Sequence, residues 1–428
     1  MKFFTKKSFA FLMAILMMFT LVACGGEKKE ETTVAGTENT NGELVIGVTS
    51  FADTLEPTEQ YFSWVITRYG VGENLVRFNE NGDLEPSLAE EWKVSDDKLT
   101  WEFKIRDGVK FSNGNPLTAE AVKSSLDRTF RKSKRADGFF KPTSIVADGQ
   151  TLKITTDKPV AILPQCLADP LFLIIDTSDN VEEYTTNAPI CTGPYVFKEF
   201  VPTEYAVVER NENYWGGKPG LAKVTFKCIN DQSTRALSLK SGEIGVAYNL
   251  KIENKADFEG QDDINIQELK SLRSTYAFMN QHGVLKDIAL RQALLRALNK
   301  KAYTEKLLGG AATPGKAPIP PTLDFGFDKL VDENAYNPES AKEILAKAGY
   351  KDIDGDGFVE KPDGSKLELN FVIYTSREEL KVYAQAAQAN LKDVGINVNL
   401  KTVSYETLLD MRDSGNFDLL IWIVLAAN

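Results

Sequence analysis

Between Leu367 and Leu425 the chain changes its hydrophobic period repeatedly. Leu367 to Tyr374 reads as a strand, residues 377–394 as a helix closed by Gly395, and Ile396 to Val403 as a second strand. Glu406 to Arg412 is helical, and Phe417 to Leu425 is a third strand, apolar throughout after Asp418. Ser376 and Glu379 have the spacing of a capping box for the longer helix. Strands separated by helices are joined by crossovers, not tight hairpins. The order therefore implies a mostly parallel sheet with helices on its faces, an α/β architecture.

Upstream, Leu44, Ile46 and Val48 alternate as a first strand. Trp101, Phe103 and Ile105 point one way and Glu102, Lys104 and Arg106 the other. Asp107-Gly108 is a turn signal, and Val109 and Phe111 follow, so the segment reads as a hairpin. Thr118 caps a helix over 118–131. Residues 132–192 read as short strands and loops. From Thr192 to Ile244 come two short β runs, a turn cluster carrying the exposed-looking Tyr214 and Trp215, and a strand of Val224, Phe226 and Cys228. A short helix capped by Ser233 ends near Gly242. Ile288 to Lys300 is amphipathic, residues 307–322 form a Gly/Pro-rich loop, and Asn337 caps a helix with Pro338 at its first position.

At 428 residues the chain is long enough for two or three compact units. Its net charge of −11 excludes a basic nucleic-acid-binding surface as the organising feature. Its four cysteines have no CxxC spacing, so neither a zinc site nor a dithiol redox motif is implied, and disulfide connectivity is not readable. One histidine and the absence of G-x-S-x-G and HExxH argue against a hydrolase. Residues 1–23 have a basic start at Lys2, Lys6 and Lys7 and an apolar run too short to span a membrane, as in a secretory signal. Leu21-Val22-Ala23-Cys24 resembles a bacterial lipobox, which makes Cys24 the lipid-attachment residue. Residues 24–41 read as a disordered tether. Together these predict a protein lipid-anchored on the extracytoplasmic face of the cell membrane.

Three stretches carry a family resemblance. TGPY, RNENYWGGKP and STRALSLKSGEI lie between Thr192 and Ile244, AEEW…LTWEFKIRDGVKFSNGNPLTAEAV covers 89–122, and DIALRQALLRALNK begins at Asp287. They resemble the family 5 extracytoplasmic solute-binding proteins, the peptide- and nickel-binding components of ABC importers. The resemblance implies a periplasmic-binding-protein-like two-lobe α/β fold with an inserted α+β subdomain in the first lobe. Lobe I would comprise 42–74 and 193–263, the subdomain 75–192, and lobe II 264–428. Family members run on beyond this point, so the resemblance implies a C-terminally truncated second lobe with an unfinished apolar sheet edge at Phe417–Ile423. It further implies a monomer, without cofactor or catalysis. Such a protein captures a short peptide or small nickel-type metal chelate and delivers it to ABC permease subunits. A non-transporting receptor or degenerate fragment of the family is the alternative, and a secreted lipoprotein hydrolase a more distant one.

Candidate ligand residues follow. Arg135, in a basic run, lies near the position where nickel-type members bind chelator carboxylates, a task suited to a guanidinium. Asp169 stands where such members carry a second arginine, which favours a ligand with a positive group. Tyr61, Trp64, Tyr69 and Trp422 are aromatic candidates for the cleft wall. Asp352, Asp354 and Asp356, with Glu360 and Asp363, imitate a calcium loop but equally resemble an Asp/Gly-rich turn. His282, in a turn, is a poor basis for nickel ligation.

Overall fold

The structure, a computed structural model, describes residues 42–49, 52–178, 181–184, 188–323, 325–375 and 377–425. The proposed signal, Cys24 and the tether lie outside the described residues, as does Ser376. The chain opens with β1 (Gly42–Val48) and α1 (Phe62–Arg68). Next come β2 (Val76–Phe78), β3 (Leu84–Pro86), β4 (Ala89–Val94), β5 (Thr100–Ile105), α2 (Ala119–Lys132), β6 (Pro142–Asp148), β7 (Thr151–Thr156), α3 (Leu163–Leu167) and α4 (Val181–Tyr184). It continues through β8 (Tyr195–Val201), β9 (Tyr205–Arg210), β10 (Leu221–Cys228), α5 (Gln232–Lys240) and β11 (Val246–Ala247). The last part holds β12 (Arg273–Met279), α6 (Ile288–Ala297), α7 (Lys300–Ala302), α8 (Pro338–Lys347), β13 (Glu368–Tyr374), α9 (Glu378–Asp393), β14 (Asn397–Val403), α10 (Tyr405–Ser414) and β15 (Leu419–Leu425).

Three larger sheets and a two-stranded ribbon organise the described elements. The first-lobe sheet has the order β11-β1-β10-β9-β8, with β1 parallel to β10 and β11 and the hairpin strands antiparallel. The inserted subdomain carries an antiparallel sheet, β4-β5-β7-β6, and the small ribbon β2-β3. The second-lobe sheet has the order β12-β15-β13-β14. There β13 runs parallel to β14 and β15, and β12 is antiparallel to β15. Each sheet has its own apolar core. Tyr69, Phe197, Val208 and Phe226 pack in the first, Phe103, Phe111, Leu126 and Phe172 in the second, and Leu294, Leu345, Phe371 and Leu420 in the third. Each such side chain, fully buried, contributes about 1.5–3 kcal/mol before entropy is counted.

Local signals account for many boundaries. The Thr118 hydroxyl accepts the Ala121 N–H at 3.1 Å, and Asn337 accepts that of Ser340 at 2.9 Å ahead of Pro338. Others were misread. Asp231, not Ser233, caps α5, accepting the Thr234 N–H at 2.7 Å. Arg377, which precedes α9, makes no side-chain cap, and the expected cap Ser376 lies outside the described residues. The turn at Gly108 is real, with φ +76°, but Val109 and Phe111 turn back onto Leu117 and Asn115 and do not pair with β5. Both edges of β5 are already taken, by β4 and β7. Trp215 is partly buried, its indole donating to Glu73 at 2.9 Å. β15 is not a sheet edge, because β12 and β13 flank it. Cys166, Cys191 and Cys228 are free thiols, the first two buried.

A buried ion pair joins the first lobe to the subdomain. Arg128, on α2, donates through Nη1 and Nη2 to the two Glu56 oxygens at 2.8 and 2.7 Å, and both side chains are 2% exposed. Thr58 adds its hydroxyl at 2.6 Å. Burial alone would raise the Glu56 carboxyl, but bonds from Arg128 and Thr58 outweigh it and hold the group at about 2, below its ordinary 4.5. Arg128→Met removes the bidentate partner of a buried carboxylate, leaving Lys132 at 3.7 Å in partial compensation, and is expected to cost about 3 kcal/mol, measured by urea unfolding at pH 7. Because the folded value lies below the unfolded one, the Glu56 contribution is complete above pH 4.5. It declines as pH falls from 4.5 toward 2. Glu56→Gln should flatten that part of the stability–pH curve.

Candidate functional site

The segment between β1 and α1 delivers Tyr61 to the surface, half exposed. Gln60, just before it, has φ +39°, a conformation a non-glycine residue adopts at a cost, and its carbonyl accepts a bond from Arg135 Nη1. The Arg135 guanidinium lies 4.0 Å from the centre of the Tyr61 ring. Arg135 reaches this place because α2 ends at Lys132 and the chain turns, the Ser133 hydroxyl accepting the Arg135 N–H at 3.2 Å. With Nη1 on the Gln60 carbonyl, a guanidinium over a ring keeps its other N–H donors for an anion.

Asp169 caps the turn at Pro170–Phe172, accepting the Leu171 N–H at 2.9 Å, and its carbonyl accepts from Asn74 at 2.7 Å. Burial raises its carboxyl, with the Leu171 N–H and the Arg135 charge opposing. Trp64 is half-buried on α1, and its indole N–H has no partner among the described residues. Tyr69 leaves the candidate list. It is 4% exposed and stacks on Phe226, ring centres 3.6 Å apart, inside the first-lobe core.

Across from Tyr61 stands a second group. Trp422 on β15 packs against Tyr405 at 5.7 Å, with Arg412 over its ring at 5.4 Å, and Tyr405 meets Tyr374 edge-on at 5.4 Å. Burial raises the Tyr405 hydroxyl. Tyr61 and Tyr374 add to this, while Arg412 and Arg135 oppose it. Tyr61 and Arg135 come from the first lobe and its subdomain, and Tyr405, Arg412 and Trp422 from the second. The charges of Tyr61 and Arg135 act on Tyr405, and that of Tyr61 on Arg412, so the two arginine–aromatic pairs lie near one another. Tyr405 and Arg412 were not singled out from the sequence. Their helix was, but nothing local marks which helical residues meet a strand tryptophan.

The acidic loop is a turn. Asp352, Asp354 and Asp356 are exposed, with carboxylate oxygens within 4.8 Å of one another. They accept backbone N–H groups of Gly355, Gly357, Asp356 and Phe358, and Lys366 lies 3.4 and 3.5 Å from Asp354 and Asp356. The ninth and twelfth positions of the imitated calcium loop do not join them. Glu360 is buried and accepts the Ile353 N–H, and Asp363 accepts from Ser365. His282 is exposed in a turn closed by Asn280. Among the described residues no helix is long and apolar enough to cross a membrane.

Comparison with known proteins agrees with this architecture. Residues 83–427 match the family described as bacterial extracellular solute-binding proteins, family 5 Middle. The probable D,D-dipeptide-binding periplasmic protein of Escherichia coli K12 is 29% identical over 395 residues, covering 88% of this chain and 73% of the relative. The nickel-binding periplasmic protein of that strain is 30% identical over 364 residues, covering 82% and 69%. Among solved structures, NikA from Brucella suis with Fe(III)-EDTA superposes with a TM-score of 0.80 at 27% identity, covering 90% of this chain and 79% of that one. AppA from Bacillus subtilis with a nonapeptide gives 0.76 at 26% identity, covering 90% and 80%. The chain belongs to the bacterial extracellular solute-binding proteins of family 5, extracytoplasmic binding proteins and not enzymes.

Proposed function

We propose that this protein captures a small solute bearing at least one carboxylate, a short peptide or a small metal chelate of the nickel type, and delivers it to an ABC permease. The observation that carries this reading is the opposed pair of arginine–aromatic stacks, Arg135 on Tyr61 and Arg412 on Trp422. A solute between them touches both lobes, so binding favours the closed form, and closure is what a permease can recognise. Relatives that bind D,D-dipeptides and nickel support the same two ligand classes. Asp169 does not tip the balance toward a cationic solute, because its carboxylate already caps Leu171 and lies beside Arg135. Cys24 carries the lipid anchor in this reading, holding the body at the membrane surface.

Isothermal titration with nickel(II) plus L-histidine, and separately with a tripeptide, tests the ligand class. Arg135→Ala is expected to weaken the solute that binds by about 1.5–3 kcal/mol, the range of a charged hydrogen bond. Unchanged affinity removes Arg135 from the site. The same solute should alter tryptophan emission without being consumed, and Trp422→Phe should remove most of that change. Steady conversion of the solute would count against a pure binding role.

A further inference from the structure

A sheet edge exposes unpaired backbone N–H and C=O groups, and folded proteins guard such edges against stray pairing. The larger sheets end in the edge strands β11 and β8, β4 and β6, and β12 and β14. All but β12 are guarded. β11 is only two residues long. β8 has a bulge between Phe197 and Glu199 and carries the charges of Lys198 and Glu199. β4 has a bulge between Ala89 and Glu91 and carries Glu90, Glu91 and Lys93. β6 opens on Pro142 with an irregular register. β14 carries Lys401, and the Gln388 amide donates to its Val398 carbonyl at 2.8 Å. β12 has none of these devices. Its seven residues, Arg-Ser-Thr-Tyr-Ala-Phe-Met, pair with β15 without a register shift, and its one charge, Arg273, stands at the first position.

The bonding pattern shows which groups are open. The Asn280 N–H donates to the Asp418 carbonyl at 2.9 Å, one step past the Met279–Leu419 pair. Antiparallel partners alternate between bonded and non-bonded pairs. Even-numbered residues of β12 therefore bond to β15, and odd-numbered ones turn their backbone groups outward. The outward N–H of Arg273 is accepted by the Ser271 hydroxyl at 2.9 Å. Thr275 and Ala277 are exposed, and their side chains are too short to block an approaching strand. They flank Tyr276 symmetrically. A second β12 turned about a two-fold axis through Tyr276 sets its Ala277 opposite Thr275 and its Thr275 opposite Ala277, and both pairs can exchange their backbone bonds. We propose that β12 is a self-association edge, and that its partner is a second copy of this chain, joined antiparallel about Tyr276 into one sheet across two molecules.

Side chains favour the copy over an unrelated strand. Tyr276 and the half-exposed Phe278 lie on one face with ring centres 6.4 Å apart, and the two-fold axis meets them with the same two rings, a cross-strand aromatic row. Charge selects the antiparallel sense. The two Arg273 residues then stand roughly 20 Å apart at about 3.4 Å per residue, beyond a screening length of about 8 Å. A parallel copy would set them side by side. The proposal departs from the monomer that the family resemblance implies, and it does not depend on the solute-binding reading.

Sedimentation velocity of the full chain at rising concentration should show a monomer–dimer equilibrium. Ala277→Lys places a charge on the edge, and Thr275→Pro removes an outward N–H while sparing the bonds to β15. Each should weaken the dimer at least tenfold, with unfolding midpoints checking that both variants are folded. Under mild oxidation Tyr276→Cys should give a disulfide-linked dimer above the background of the unaltered chain, because residue 276 meets its twin on the axis. Ser274→Cys, opposite the copy's Phe278, should not. A monomer at every concentration overturns the proposal, whether the edge then proves to hold another polypeptide, a solute peptide or nothing. A dimer indifferent to both Ala277→Lys and Thr275→Pro forms through another surface and overturns it. Crosslinking through Ser274→Cys in preference to Tyr276→Cys overturns the register about Tyr276, and the proposal with it.

Discussion

The placement of the cleft wall depends on the ion pair between Glu56 and Arg128. The described part of the loop that brings the chain from β1 to α1 has no regular structure and is anchored by the buried Ala52, Leu55 and Pro57. Its backbone direction past that point is fixed by Glu56, gripped from one side by a bidentate guanidinium and from the other by Thr58. Arg128 belongs to the last turns of α2, and a few residues later the same segment delivers Arg135. One buried contact thus sets the distance between Tyr61 and Arg135, although they lie far apart in sequence. Such pairs contribute little net stability, since desolvation offsets attraction. The physical case for this one is geometric: the two charges satisfy each other only when loop and helix stand in one relation.

Arginine and lysine are used differently across the molecule. Lysines such as Lys93, Lys123 and Lys300 meet acids on the surface, where a pair contributes about 0–1 kcal/mol. Arg68, Arg135 and Arg412 lie over tyrosine or tryptophan rings along the cleft. A guanidinium over a ring has fewer rotamers open to it and keeps donors beyond the one that Arg412 gives Asp413 and Arg135 gives Gln60. The wall is therefore ordered before any solute arrives, and less entropy is lost on binding.

Much of the architecture was legible because its causes are local. The α/β alternation of the second lobe, the caps at Thr118 and Asn337 and the turn at Gly108 are decided by a few neighbouring residues. The supposed hairpin after Gly108 failed for a non-local reason: β5 finds better partners at β4 and β7. Tyr69 looked like a wall residue by composition, but the phase of α1 turns it onto Phe226. Tyr61, Arg135 and Trp422 were visible singly, and the sequence held no sign that they would converge with Tyr405 and Arg412. That convergence comes from sheet register, which brings the ends of β13 and β15 to the same level.

Register also explains why so many cations collect on an acidic protein. The chain carries 61 acidic and 50 basic side chains, so its average field repels anions. A carboxylate approaching at random meets that repulsion until it comes close to local cations such as Arg135 and Arg412, which lie over Tyr61 and Trp422. A concave surface with low-dielectric walls focuses such a field, and the acidic exterior sharpens the contrast. Screening over about 8 Å at physiological salt confines the attraction to solutes already at the mouth of the cleft. Under the proposed function selection rests on contact: an anion that reaches both the Arg135 and Arg412 guanidiniums is held by charged hydrogen bonds from each.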